Sequence, residues 1–130
     1  MKPTPLYVVV TGGRNLADRD LVFRELDARR ITLLFHGGAT GADRLAADWC
    51  EERGVPTIQM RAPWKKLGQA AGPTRNRWLV EIATTLATAR GAHLEGLAFP
   101  GAAGTADCVR RMEAAGVPVT TVGVAPKEFP

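Results

Sequence analysis

Half of the glycines in this sequence fall into three short clusters, each of which follows an apolar run. These seven of the 14 glycines are Gly12, Gly13, Gly37, Gly38, Gly41, Gly101 and Gly104. Because glycine has no Cβ, its backbone N–H can approach a ligand closely and its φ can be positive. A helix that begins after such a turn adds unpaired N–H groups and the positive end of its dipole, which together bind anions. We therefore expect a phosphate-bearing ligand at these loops.

Two arginines beside the clusters have the chemistry for holding a phosphate. Arg75 and Asn76 stand at the start of a predicted helix, and a guanidinium fork fits a phosphate in a bidentate manner. Arg14 directly follows the first cluster, where it either clamps a second phosphate or pairs with Asp18 or Asp20. We expect Arg75 and Asn76 to contact the ligand, and both roles of Arg14 stay open.

Two further polar residues flank the second cluster. His36 ends the preceding apolar run, where its imidazole either contacts the ligand or is satisfied at the strand end. Asp43 lies at the start of the next predicted helix, and its carboxylate either accepts a hydrogen bond from a ribose hydroxyl or holds the glycine loop closed. We include both residues in the predicted site.

The elements that position these residues alternate between strands and helices. Apolar, β-branched runs predict five strands, at 6–11, 31–36, 55–60, 94–99 and 117–122. Helical spacing and capping residues predict helices between them, at 18–30, 42–53, 73–90 and 105–115, with Asp18 and Thr105 as N-caps and Arg61 to Gly72 as a loop.

Strands separated by helices pair in parallel through right-handed crossovers. We therefore expect an α/β fold, a Rossmann-like three-layer α/β/α sandwich with a mainly parallel sheet of about five strands. The strand order is either Rossmann-like or flavodoxin-like. Ligands of such sheets bind beyond the carboxyl ends of the strands, which is where the glycine clusters fall.

Length and composition narrow the class of protein. A chain of 130 residues fits one domain with a sizeable core, and we expect a single domain over 1–130 with a core of about 6–122 and a tail of 123–130. No apolar stretch reaches the ~20 residues of a membrane span, and the N-terminus lacks the apolar core of a secretory signal. The sequence thus predicts a cytoplasmic protein with no membrane partner.

Two known classes of site lack their motifs in this sequence. Neither G-x-G-x-x-G nor G-x-x-x-x-G-K-[ST] is present, so standard dinucleotide-binding and P-loop sites are not indicated. Cys50 and Cys108 stand far apart and outside any CxxC motif, which disfavours a disulfide scaffold and a zinc site. We expect no metal and no cofactor.

The positive charge of the chain is local. The sequence carries 17 Lys+Arg against 13 Asp+Glu, a net charge of +4. The stretch from Arg53 to Val80 contains no acid, and its six basic residues are Arg53, Arg61, Lys65, Lys66, Arg75 and Arg77. Trp64 with its two lysine neighbours either stacks on a base or belongs to a solvated face with one packed indole. This stretch favours a small phosphorylated ligand, with single-stranded nucleic acid as an alternative partner.

Four ordered motifs resemble a known family. They are Thr11-Gly12-Gly13-Arg14, the segment 36–43, the segment 72–77 and the segment 99–107. Together they are similar to the YspA or cpYpsA-related branch of the SLOG superfamily, which also contains the Smf/DprA DNA-processing proteins and the Lonely Guy phosphoribohydrolases. The resemblance implies a Rossmann-like domain that binds a nucleotide or nucleotide-derived molecule, as a sensor, sequestering or processing protein. It also implies association with phages or mobile elements and possible homo-oligomers.

The Lonely Guy enzymes provide a stricter comparison. Arg75 occupies a position similar to their arginine, and their P-G-G-x-G-T-x-x-E motif matches at Pro100, Gly101, Gly104 and Thr105. Ala102 replaces the second glycine and Cys108 replaces the glutamate, with Asp107 one residue earlier. The resemblance thus leaves hydrolysis of the N-glycosidic bond of a nucleoside monophosphate as an alternative, with Arg75 and Asp107 as catalytic residues. The other role of Asp107 is to stabilise the helix dipole. DprA-like binding of single-stranded DNA is the second alternative.

Overall fold

A computed structural model describes residues 3–123 of the chain. Its five strands are β1 (Leu6–Thr11), β2 (Ile31–His36), β3 (Thr57–Gln59), β4 (His93–Ala98) and β5 (Val119–Thr121). They form one parallel sheet in the order β3-β2-β1-β4-β5. This is the Rossmann-like order and not the flavodoxin-like one, and it confirms the predicted α/β fold class.

Helices fill both faces of this sheet. They are α1 (Arg19–Asp27), α2 (Ala42–Arg53), α3 (Trp64–Leu67), α4 (Ala71–Arg90) and α5 (Ala103–Ala114). Successive residues of β1 point to opposite faces, because the side chains of a strand alternate. Val8 and Val10 pack with residues of α1 and α2, whereas Tyr7 and Val9 pack with residues of α4 and α5. The two apolar layers give the three-layer sandwich.

The prediction of a loop from Arg61 to Gly72 is wrong in part. It contains α3 and a short 3-10 turn at Gly68–Ala70, and α4 already begins at Ala71. Pro63 is the N-cap of α3 and therefore does not interrupt it, since proline is tolerated at the start of a helix. Gly68, with φ +54°, ends α3.

Several element ends differ from the predictions for local reasons. Pro56 and Pro118 have no N–H, and β3 and β5 each begin just after these prolines, so both strands are shorter than predicted. Helix α1 has Asp18 as its N-cap, as predicted, because a carboxylate oxygen accepts from Leu21 N at 3.0 Å, but it ends at Asp27. Helix α5 has Ala102 as its N-cap, so the predicted cap, Thr105, lies inside the helix.

The three tryptophans occupy different environments. Trp49 is 3% exposed and belongs to the core, as predicted. Trp78 is 38% exposed on α4, and Trp64 is 48% exposed at the start of α3. Within residues 3–123, no helix combines the length and the apolar character needed to cross a membrane. Residues 124–130 of the predicted tail lie outside the described residues.

Candidate functional site

A cleft of about 780 Å³ lies at the carboxyl ends of the central strands, and we call it the main cleft. Its walls come from the loop after β1, the start of α4, and the loop between β4 and α5. The structure brings eleven of the predicted site residues to this cleft. These are Gly12, Gly13, Arg14, Asp43, Arg75, Asn76, Pro100, Gly101, Gly104, Thr105 and Asp107.

A second cavity of about 290 Å³, the side pocket, adjoins the main cleft. Both cavities share Arg14, Ala39, Trp64 and Arg75 as lining residues. The predicted residues Gly37 and Gly38 line the side pocket only, and His36 and Gly41 line neither cavity.

The glycine loops pack against each other. Gly13 N donates to Pro100 O at 2.7 Å, and Ala42 N donates to Gly13 O at 3.1 Å. A Cβ at Gly12 would stand 2.5 Å from the Ala42 Cβ, and a Cβ at Gly41 would overlap Gly13 O. The absence of side chains at these positions therefore lets the loops approach one another, whether or not a ligand is bound.

The segment 37–43, which comprises the loop between β2 and α2 and the first two residues of α2, is closed by hydrogen bonds to neighbouring polar groups, and we call it the β2 loop. Gly37 N and Ala39 N donate to one carboxylate oxygen of Asp43 at 3.1 and 3.2 Å. Gly38 N donates to His36 Nδ1 at 3.0 Å. Three successive N–H groups are therefore satisfied within the chain. Of the two roles predicted for Asp43, the structure provides contacts for closing the loop.

Burial controls the charge of the two side chains that close this loop. His36 is 2% exposed, and burial, together with the charge of Arg75, lowers its pKa, so the imidazole is neutral at pH 7. Burial also raises the pKa of Asp43, against the opposing effects of its hydrogen bonds to Ala39 N and Gly37 N and of the Arg75 charge. Of the two roles predicted for His36, the satisfied strand end fits its position.

The segment 99–107, which comprises the loop between β4 and α5 and the first residues of α5, is open at its helical end, and we call it the β4 loop. Helix α5 has no side-chain cap, and the first hydrogen bond of the helix is from Ala106 N to Ala102 O. The N–H groups of 103–105 therefore have no partner within the helix. Gly104 is exposed, and a Cβ there would meet no atom within 4 Å. Because α5 begins at the main cleft, these N–H groups and the dipole of α5 are available to an anion.

A chain of hydrogen bonds holds Arg75 beside this helix terminus. Arg75 Nη1 donates to Gly37 O at 2.7 Å, and Arg75 Nε donates to Asn76 Oδ1 at 2.9 Å. Asn76, which is 4% exposed, donates from Nδ2 to Gly104 O at 3.2 Å and to Asp107 Oδ2 at 3.0 Å. Arg75 Nη2 has no hydrogen-bond partner among residues 3–123. The guanidinium is thus oriented and keeps one amino group for a ligand.

Asp107 is the carboxylate of this network. Its Oδ2 also accepts from Arg111 Nε at 2.9 Å. Partial burial raises the pKa of Asp107, but hydrogen bonds from Asn76 and Arg111 and the charges of Arg111 and Arg110 outweigh that effect and lower it. Asp107 therefore lines the main cleft as an ionised carboxylate at neutral pH.

Cys108, which stands where the Lonely Guy motif has glutamate, lies in the core. It is 1% exposed and packs in the apolar layer that contains α4 and α5. Burial raises the pKa of its thiol to about 11, so it is neither a carboxylate substitute nor a thiolate nucleophile.

Arg14 and Trp64 form the boundary between the two cavities. The guanidinium carbon of Arg14 lies 5.2 Å from the centroid of the Trp64 ring, in a cation–π contact. The ion pairs within residues 3–123 do not include Arg14, so its predicted pairing with Asp18 or Asp20 is not formed. Sequence reasoning missed Gln69, which lines the main cleft from the 3-10 turn, because the glycines around it predict a loop.

The donors of the main cleft suit an anionic organic ligand better than a metal ion. Among the described residues, no group of three or more His, Cys, Asp or Glu side chains is placed to hold a metal. What the cleft offers is free N–H groups, a guanidinium, one ionised carboxylate and an indole. The N–H groups and the guanidinium can bind a phosphate, the carboxylate can accept from a sugar hydroxyl, and the indole can stack on an aromatic ring.

Comparison with known proteins agrees with the motifs in the sequence. The model of the "YspA, cpYpsA-related SLOG family" matches residues 6–67, which include the first two glycine clusters. The Gene 61 protein of Mycobacterium phage D29 is 33% identical over 131 aligned positions, which cover 92% of this chain and 98% of the phage protein. The match to the phage protein therefore covers nearly the whole length of both chains. The chain therefore belongs to the YspA, cpYpsA-related SLOG family.

Proposed function

We propose that this protein binds a phosphorylated, nucleotide-type small molecule in the main cleft, as a sensor, sequestering or processing protein. The observation that carries the proposal is the uncapped N-terminus of α5 beside the oriented guanidinium of Arg75. Asn76 connects the two, since it accepts from Arg75 and donates to Gly104 O. A helix N-terminus and a fixed guanidinium together form a phosphate site.

The rest of the main cleft has groups for the rest of a nucleotide. Asp107 is ionised, and its Oδ1 accepts no hydrogen bond from residues 3–123, so it can accept one from a ribose hydroxyl. The half-exposed indole of Trp64 offers a stacking surface for a base. The volume of about 780 Å³ lies within the ordinary range for small-molecule sites. Membership of the SLOG family supports a nucleotide-related function.

Gly104→Leu tests the proposal, because this glycine has space for a side chain. A Cβ at 104 would meet no atom within 4 Å, so the exposed first turn of α5 has room for a side chain. Because Gly104 lines the main cleft, we expect a leucine there to obstruct the entry of a ligand. Ala114→Leu is the matched control, since it places the same side chain at an exposed position at the other end of α5. Calorimetry with the four common nucleoside 5′-monophosphates should show binding to the wild type and the control, and at least tenfold weaker binding to Gly104→Leu.

Two outcomes would contradict the proposal. The first is that folded wild-type protein, verified by its melting curve, binds none of the nucleotides. The second is that Gly104→Leu binds nucleotide as tightly as Ala114→Leu, which would show that the ligand binds somewhere other than the N-terminus of α5.

A second candidate function, hydrolysis of the N-glycosidic bond, is favoured by the ionised carboxylate of Asp107 in the main cleft. In that reaction the bond between C1′ and the base breaks and a water oxygen bonds to C1′. One water proton goes to the leaving base, so the products are ribose 5-phosphate and the free base. Asp107 would stabilise the positive charge that develops on the ribose, while Arg75 and α5 hold the phosphate.

Chromatographic detection of the released base tests this candidate. Asp107→Asn should keep binding and lower the rate of release by about 100-fold or more. Binding of the monophosphates by the wild type without any release of base would exclude hydrolysis and leave the binding proposal intact.

A further inference from the structure

The side pocket has a charge pattern that the main cleft lacks. Three arginines line it, namely Arg14, Arg61 and Arg75, and no acidic residue does. Its other lining residues are Gly37, Gly38, Ala39, Thr40, Ala62 and Trp64. The main cleft, by contrast, contains the carboxyl groups of Asp43 and Asp107 opposite its arginines. Of the two cavities, only the side pocket has a lining of purely positive charge.

The positive charge of the side pocket is not neutralised by the described part of the chain. The ion pairs of residues 3–123 join other arginines to acids and include neither Arg14 nor Arg61. Asp43, the acid that hydrogen-bonds within the β2 loop, is buried, and its carboxylate accepts from Gly37 N and Ala39 N. Several positive charges in one concave site attract an anion that fits the site.

Three of the backbone N–H groups in the lining of this pocket already have acceptors within the chain. The N–H groups of Gly37, Gly38 and Ala39 already donate to Asp43 and His36. The strongest donors for an anion in the side pocket are the guanidinium groups, which form bidentate, charge-assisted hydrogen bonds with phosphate.

We propose that the side pocket binds a second phosphate group of the ligand whose first phosphate lies at the N-terminus of α5. This inference rests on the proposed function and names a narrower ligand class, a nucleotide with two or more phosphate groups. Arg14, Trp64 and Arg75 line both cavities, so one ligand can extend from one to the other along them. Arg61 lines the side pocket alone and is the residue that distinguishes such a ligand from a monophosphate.

Arg61→Gln tests this inference, with Arg77→Gln as the matched control. Both arginines are exposed and belong to the same acid-free stretch, and Arg77 lines neither cavity. Each substitution removes one positive charge, so a general effect of the electric field would appear in both. The probes are adenosine 5′-monophosphate, adenosine 5′-diphosphate and adenosine 3′,5′-bisphosphate, titrated by calorimetry at one fixed salt concentration.

Wild type and Arg77→Gln should bind at least one of the doubly phosphorylated probes about tenfold or more tightly than the monophosphate. Arg61→Gln should lose that preference, while its affinity for the monophosphate stays within about twofold of wild type. The preferred probe shows whether the second phosphate extends the 5′ chain or sits on the 3′ position. Melting curves should coincide for all three proteins, because both arginine side chains lie on the surface.

The outcomes separate this inference from the proposed function. If the monophosphate binds and a second phosphate adds nothing, or if Arg61→Gln keeps the preference, the inference is wrong and the proposed function stands. If no nucleotide binds, the proposed function fails, and pyrophosphate alone is then titrated. Binding of pyrophosphate that Arg61→Gln weakens and Arg77→Gln does not would keep the side pocket as an anion site. Absence of that effect would overturn the inference as well.

Discussion

Two glycine-rich loops lie at the same edge of the sheet and differ in the hydrogen-bond partners of their backbone N–H groups. In the β2 loop, the N–H groups of 37–39 donate to Asp43 and His36. In the β4 loop, the N–H groups of 103–105 belong to the first turn of an uncapped helix, and these three residues line the main cleft. Gly41 has a φ of +80°, and a Cβ added to it would overlap Gly13 O in the loop after β1. A Cβ added to Gly104 would meet no atom within 4 Å.

The difference shows that a cluster of glycines has two distinct physical causes. Glycine lets backbone come close, but its presence does not say whether the approaching group is another loop or a ligand. In the β2 loop the approaching groups belong to the chain itself. In the β4 loop the space beside Gly104 is open, so this is where we place the phosphate. In our proposal, the β2 loop contributes to binding through the neighbouring arginines.

The largest effect that separates the two loops is the stability change on adding one methyl group. Gly41→Ala should lower the free energy of unfolding by about 3 kcal/mol, because φ +80° with ψ −126° is strained for alanine and the Cβ would overlap Gly13 O. Gly104→Ala should leave the free energy unchanged or raise it by up to about 1 kcal/mol, since alanine favours a helix over glycine. Urea unfolding of both variants measures the contrast. Equal losses at the two positions would mean that the loops do not differ as described.

An effect of intermediate size comes from Asn76, which hydrogen-bonds directly to the β4 loop and reaches the β2 loop only through Arg75. Asn76→Ala leaves Gly104 O, Asp107 and Arg75 Nε without a shared partner, and we expect a loss of about 2 kcal/mol. Thr85→Ala, at an exposed position of α4, is the control and should change stability little. Hydrogen exchange should accelerate at 103–107 and remain slow at 37–39. Faster exchange at both loops would show that Asn76 supports the whole edge of the sheet.

The smallest effect is the pH dependence of the stability that the acid of each loop, Asp107 or Asp43, contributes. The pKa of Asp107 is lowered in the fold, so its stabilisation is complete above the unfolded value of about 3.9 and disappears as pH falls through the folded pKa. Wild type should exceed Asp107→Asn by about 1 kcal/mol near pH 6, and the gap should close below about pH 4.

Asp43, in the β2 loop, should behave in the opposite way. Burial raises its pKa, so protonation of Asp43 stabilises the fold, and this contribution is lost as pH rises through the folded pKa. Wild type should therefore gain stability relative to Asp43→Asn as the pH is lowered. Urea midpoints between pH 3 and 7 measure both series, and trends of the same sign would contradict the difference between the loops.

Much of the fold was predictable, because local patterns of the sequence determine it. The β-branched run of β1 and the apolar face of α2 indicate elements buried against a parallel sheet, and the structure contains both. The short helix α3 was not predictable from periodicity, since four residues do not complete a pattern and Pro63 and Gly68 are typical of loops. Strand order is a property of tertiary packing, which alternation of strands and helices leaves undetermined.

The candidate site was predictable in its location but not in the state of each loop. Glycines after strands place the site at the carboxyl edge, and most of the predicted residues line the main cleft. The sequence could not reveal that Gly41 contacts Gly13, because α1 and β2 lie between these residues in the chain. Nor could it reveal that His36 turns inward, since a strand-end side chain can point to either side of the strand.

Amide chemical shifts test the central claim most directly, because they report on both loops in one experiment. At 13.9 kDa, the ¹⁵N-labelled protein can be titrated with the four nucleoside 5′-monophosphates, which have no second phosphate for the side pocket. We predict that at least one of them shifts the amide signals of 103–105 strongly and those of 37–39 much less. If none shifts the signals of 103–105, or if the shifts are confined to the β2 loop, the phosphate does not bind at the N-terminus of α5.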